Sequence, residues 1–206
     1  HWTHSVIHET LVDLLAIQKE VHQGMFAVMD GTFAGDGPGP RAMRWHIKDR
    51  ILAGADQVAI DAVCAKLLGF DTMDVKCIRL ATEAGLGHGH LDDIEIIGDL
   101  DTPEVKRTNW EFVVGDNAAS AVGDLFWSGP LRPLSRLAFQ TPLVNAFIFG
   151  SFVYHDYWWY PMEGWGRVQG WLDDPPWGAK FLEYGNPFKT QRRRGLRGIF
   201  RRPDFA

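Results

Sequence analysis

The sequence predicts an α/β fold: a layered sheet with flanking helices, followed by an aromatic-rich, mostly helical or irregular C-terminal extension. Three observations predict it. Short apolar runs of strand length are interleaved with stretches of helical period between His1 and Val114. A glycine–proline segment, Gly35 to Pro40, punctuates the first of them. Beyond about residue 120 the chain turns aromatic and basic. Residues 121–206 hold six of the nine Trp and carry 11 Lys and Arg against 7 Asp and Glu, whereas 1–120 carries 10 against 19. The shift divides the chain into an α/β part, 1–117, and an extension, 118–206.

With 206 residues the chain is long enough for one domain with a sizeable core and an appendage. A hydrophobic fraction of 46% and a charged fraction of 23% exclude an intrinsically disordered chain. No run of 18 apolar residues occurs, so no conventional transmembrane helix is expected. The two cysteines, Cys64 and Cys77, read as reduced buried thiols, and two are too few for a four-thiolate iron–sulfur cluster. The chain opens on His and passes at once into an amphipathic helix. It reads as a piece of a longer or processed protein, cytoplasmic and peripheral to a membrane.

The elements follow in order. His1–Glu20 has a helical apolar stripe through Val6, Leu11, Leu14, Leu15 and Ile17. Met25–Met29 is a short strand ended by Asp30 and Gly31. Ile47–Ala53 is a second strand. Asp56 is an N-cap and Gly69 a C-terminal stop for the helix ending at Leu68. Met73–Ala84 is a further helix, Gly85–His90 a turn, and Ile94–Gly98 and Asn109–Val114 are strands separated by a linker.

Three carboxylates are catalytic candidates. Asp30 stands at a strand end, where α/β sheets bind ligands, or else forms a turn before Gly31. Asp36 lies within the glycine loop. Asp61 occupies an apolar helix face, where burial demands a partner or a raised pKa. Gly35, Gly37 and Gly39 with Arg41 could cradle an anion, although the loop fits neither common phosphate-binding motif. His4 and His8 share a helix face with His1 and could hold a divalent metal; a solvated histidine face is the alternative. His88 and His90 with Asp92 and Asp93 form a weaker metal candidate on a flexible glycine turn.

The order of blocks resembles the C-terminal half of the DUF362 family, a domain of unknown function. The blocks are Ile7-His8-Glu9, Val28-Met29-Asp30-Gly31, Gly35-Asp36-Gly37-Pro38, Ala53-Gly54-Ala55-Asp56-Gln57-Val58, Leu68-Gly69-Phe70-Asp71, Gly85-Leu86-Gly87 and Ile94-Glu95-Ile96-Ile97-Gly98. The resemblance covers roughly residues 4–100. The resemblance implies an α/β domain, a preceding half with further strands, and a ferredoxin-type iron–sulfur partner, so that any cluster would reside in another segment or partner. It implies no substrate. The acid of the family's glycine loop is displaced in this chain.

In the extension, Pro142–Tyr154 is apolar but too short to span a bilayer. Tyr154, Tyr157, Trp158, Trp159, Tyr160, Trp165, Trp171 and Trp177 follow, then Lys189 and six Arg between Arg192 and Arg202. Aromatic belts and interleaved basic residues suit an anionic lipid surface or subunits of a membrane complex, contacted through 131–206. An extra core layer is the alternative. The acidic main domain disfavours nucleic acid. Two functions are thus expected: a redox-associated or metal- or anion-binding enzyme domain with its site near Gly35–Pro40, or a non-catalytic peripheral subunit docked by its tail.

Overall fold

The computed structural model describes residues 6–173 and 176–183. The chain forms two compact units, His1–Val153 and Tyr154–Ala206. The change of composition near residue 120 therefore falls inside the first unit.

The first unit is mixed α/β. Helix α1 (Ile7–Val21) leads into strand β1 (Ala27–Asp36), which pairs antiparallel with β2 (Arg44–Gly54) in a two-stranded sheet. Helix α2 (Gln57–Leu68) follows directly. Asp56 caps it by accepting the Ala59 N–H, and Gly69 closes it in the left-handed region at φ 104°. A side chain at residue 69 would be strained and would also collide with Asn109 Oδ1, 2.4 Å away. Helix α3 (Lys76–Glu83), a 3₁₀ turn (Leu91–Asp93) and the short α4 (Thr102–Arg107) complete the α/β part.

Helix α2 is the spine, because its apolar residues serve two cores. Val58, Ala62 and Ala65 pack with Ile78 and Ala81 of α3 and with Val12 and Leu15 of α1. On the other side, Val63 and Leu67 pack with Val105 beneath Leu52 of β2 and beneath Ile94, Ile96 and Trp110. A Glu9–Lys76 ion pair ties α1 to α3.

Three expectations change. Asp30 and Gly31 do not end the first strand, which continues to Asp36. Asp30 Oδ1 accepts from Thr32 N–H (2.9 Å) and Thr32 Oγ1 (2.6 Å), and this local turn absorbs the register break between Gly31 and Phe33. Residues 94–98 pair with no strand; the Thr102 hydroxyl donates to Ile94 C=O (3.4 Å) and accepts from Ile96 N–H (2.9 Å). Residues 109–114 give their backbone to the end of α2, through Trp110 N–H to Leu67 C=O and Phe112 N–H to Leu68 C=O; Val114 forms an isolated β-bridge with Gly37, just beyond the end of β1.

The first unit continues through α5 (Ala118–Trp127), capped by Asn117 and Ser120, then α6 (Ser135–Phe139) and α7 (Val144–Phe152). Their aromatic rings pack together. Trp127 stacks on Phe139 at 4.7 Å, and Phe126 meets Phe147 edge-on at 5.2 Å.

A π-helical run spans Val153–Gly164. The second unit also holds α8 (Trp165–Asp173) and α9 (Pro176–Glu183). Within it His155 and Trp159 are buried, and Trp171 packs edge-on against Phe181 at 4.8 Å. Among the described residues no single helix is long and apolar enough to cross a membrane. One bent pair, Arg132–Phe139 with Val144–Asp173, passes by length and composition.

Candidate functional site

The hairpin turn is built around Asp36, whose side chain is 5% exposed. Its Oδ1 accepts from Arg44 Nε (3.0 Å) and is paired with His46 Nε2 (2.9 Å). Its Oδ2 accepts from Arg44 Nη2 (3.0 Å) and from the Val113 N–H (3.2 Å). The His46 hydrogen bond, with those of Arg44 and Val113, outweighs burial and holds the carboxyl down at about 2. All the accepting positions of this carboxylate are taken, so it fastens β1, β2 and residues 112–114 together.

The glycines of this turn are occupied with packing. Gly37, at φ 83°, gives its N–H to Val113 C=O (2.8 Å). Gly35 and Gly39 make room for Met43, whose side chain lies within about 3.3 Å of where a Cβ would stand on either. Arg41 lies in the turn with an exposed side chain. Asp30 is exposed, and its hydrogen bonds from Thr32 lower its pKa.

A cleft of about 440 Å³ opens at the opposite end of the hairpin. One wall is Ile51–Ala55, where β2 runs into α2. The other is Asp93–Ile97. Ala59, Ile60 and Val63 of α2 form the floor. At its mouth Asp56 Oδ2 accepts from His88 N–H (2.9 Å) and pairs with His88 Nδ1 (2.8 Å). Burial works to raise the Asp56 pKa, but the bonds from Ala59 and His88 prevail and lower it. The approach depends on Gly87, where a Cβ would stand 2.3 Å from Asp56 Oδ1 and 2.8 Å from Val58.

A narrower groove of about 190 Å³ runs between α1, α2 and α3, with Leu11, Leu15, Val58 and Ile78 among its lining. Asp61 stands on it. The residue reaches solvent instead of being buried as its apolar helix face suggests, yet the surrounding groove desolvates the carboxyl and raises its pKa. Gln57 lines the same groove, and its Oε1 is buried with no hydrogen-bond partner among the described residues. Burial, and then the Asp61 charge, push the Cys64 thiol up, which makes it a poor nucleophile. Cys64 and Cys77 are both free and half-buried.

His8 Nδ1 is buried without a partner among the described residues, and His4 lies outside them. Among the described residues no three His, Cys, Asp or Glu side chains are placed to hold a metal ion together; His88 is committed to Asp56. The three predicted carboxylates thus occupy separate places: Asp30 in a strand irregularity, Asp36 in the turn and Asp61 in the helix groove. Sequence reasoning recognised Asp56 as a cap but missed its pairing with His88, for which Gly87 is the signal. It also missed the cleft.

The apolar surface of the extension is open. In α7, Ile148, Phe149 (66% exposed) and Phe152 face solvent. In the second unit Trp158 (56%), Trp177 (50%), Phe181 (59%) and Leu182 are exposed, Trp177 and Phe181 one turn apart on the same face of α9.

This architecture defines an α/β unit in which a hairpin and an extended segment cover one helix, joined to helices rich in exposed aromatic residues. Residues 1–66, which hold α1, the hairpin and most of α2, match the family described as Domain of unknown function (DUF362). The match does not reach the Gly85–Gly87 and Ile94–Gly98 blocks or the extension. Neither the curated proteins nor the solved structures contain a match to the chain.

Proposed function

We propose that this protein docks on an anionic membrane surface through its C-terminal half and carries its DUF362 part there as a peripheral domain. The observation that carries the reading is the exposure of Phe149, Phe152, Trp177 and Phe181 on helices in two different units. Large apolar side chains in contiguous exposed groups mark interaction surfaces. Trp and Phe favour the headgroup boundary. Lys189 and Arg192–Arg194, outside the described residues, add basic charge to the same half of the sequence.

The test is co-sedimentation of the full chain with phosphatidylcholine vesicles, with and without phosphatidylserine. Binding that needs phosphatidylserine and falls sharply in Phe149→Ser/Phe181→Ser supports the reading. No sedimentation, or no effect of the substitutions, refutes it, and a stable protein complex of the free chain would assign the surface to a subunit instead.

A second reading rests on the helix groove, and it is the form in which a ligand-binding or enzymatic role is best supported. Asp61 is a carboxyl of raised pKa on an apolar slot beside the unpaired Gln57 oxygen. Such a slot suits an aliphatic molecule with a cationic or hydrogen-bond-donating head. Thermal stabilisation by a short alkylamine, lost in Asp61→Asn, is the expected result; equal response of the variant would refute it. Among the described residues no group of three His, Cys, Asp or Glu side chains supports a divalent-metal role in the same way.

A further inference from the structure

We infer that the cleft between β2 and residues 93–97 is a seat for one extended peptide strand of a partner protein, with apolar residues at alternate positions and a Lys or Arg between them. This concerns the α/β unit and is independent of the membrane reading.

Each wall of the cleft carries backbone groups that no strand among the described residues pairs. Among the described residues the sheet consists of β1 and β2, so every second residue of β2 turns its N–H and C=O away from β1 with no third strand among them to meet these groups. Opposite stands Ile94–Ile97, which opens in extended conformation at Ile94 (φ −113°, ψ 120°) and is alternately half-buried and exposed. Ile94 and Ile96 give their inner edge to Thr102. In extended chain the backbone groups of Glu95 and Ile97 point the other way. No backbone hydrogen bond joins either residue to another described residue.

The two walls also belong to one layer. Leu52 of β2 and Ile94 and Ile96 all pack on the same Val63–Leu67 side of α2. The gap between them is floored by Ile60 and Val63. A strand placed there would lie about 4.8 Å from a wall it pairs with. Its inward side chains would rest on α2, as those of Leu52 and Ile96 do.

Backbone edges on both sides select a polypeptide. The apolar floor selects Val- or Ile-like residues at alternate positions. Asp93 and Glu95 on the outer wall are exposed acids, so a basic residue on the solvent side of the incoming strand meets opposite charge.

The test is titration of the full chain with a fluorescent capped hexapeptide alternating Val and Lys, read by anisotropy and by amide exchange. The expected result is saturable binding with slowed exchange at Glu95 and Ile97. Ile97→Pro removes one free-edge N–H while spending no hydrogen bond of the folded protein; it should weaken binding about tenfold. Glu95→Lys should weaken it as well and lessen the loss of binding on adding salt. A peptide N-methylated at alternate residues should not bind. Absence of binding, or binding indifferent to Ile97→Pro and N-methylation, overturns the proposal. Concentration-dependent dimerisation of the chain that Ile97→Pro abolishes overturns it in favour of a second copy as occupant.

Discussion

Asp36 and Arg44 are joined at two points across the hairpin, Oδ1 to Nε and Oδ2 to Nη2, each at 3.0 Å. The pair sits where β1 turns into β2, and His46 and Val113 take the remaining positions of the carboxylate. Its lowered pKa is therefore a statement about stability. A carboxyl held near 2 instead of 3.8 stabilises the fold fully above the ordinary value and loses that contribution as pH falls through the lower one. Thermal melts should show an acid-side loss between about pH 4 and pH 2 that Asp36→Asn abolishes. At neutral pH the variant should lose about 2 kcal/mol in denaturant unfolding, the worth of hydrogen bonds to a charged group.

Gly87 marks the second tie. Alanine there drives a methyl into Asp56 and Val58, so Gly87→Ala should cost roughly 1–3 kcal/mol, the usual range for overpacking. Gly150 of α7 has no atom near its missing Cβ, and Gly150→Ala should stabilise by about 0.5–1 kcal/mol. Denaturant midpoints of the two variants moving in opposite directions would bear this out.

Asp56 works both as a helix cap and as the partner of His88. Asp56→Ala should cost about 1 kcal/mol from the cap, plus the His88 contacts. A double-mutant cycle with His88→Ala should give a coupling of at least about 0.5 kcal/mol. Additive losses would mean that the pair does not form in solution.

Asp61 carries the opposite sign to Asp36. Desolvation by the surrounding groove raises its pKa, so the folded state holds its proton more tightly and ionisation opposes folding as pH rises above the usual carboxyl range. Asp61→Asn should therefore be at least as stable as the native chain at neutral pH and should flatten the decline. Calorimetric melts across the acidic to neutral range read both effects.

The fold was legible where local chemistry decides it. Asp56, the apolar run after it and Gly69 announce α2 and both of its ends. The alternation of Ile94–Ile97 reads as a strand and the segment is not one, because strand pairing is a long-range property and here a threonine hydroxyl takes the place of a neighbouring strand. The Asp30–Gly31 turn signal misled because Thr32 satisfies Asp30 within the strand. The candidate site was least legible. Asp36 reads as a free acid in a glycine loop until Arg44, His46 and the distant Val113 are brought to it, and a cleft floored by a helix has no local signature.

Under the proposed function the C-terminal half docks on a membrane by its exposed aromatic side chains. The most direct measurement is tryptophan fluorescence of the full chain with phosphatidylserine-containing vesicles whose acyl chains carry bromine. Docking predicts quenching that is largely lost in Trp158→Phe/Trp177→Phe, because these two rings are exposed in the second unit. Unquenched tryptophan in the presence of excess vesicles would contradict the claim.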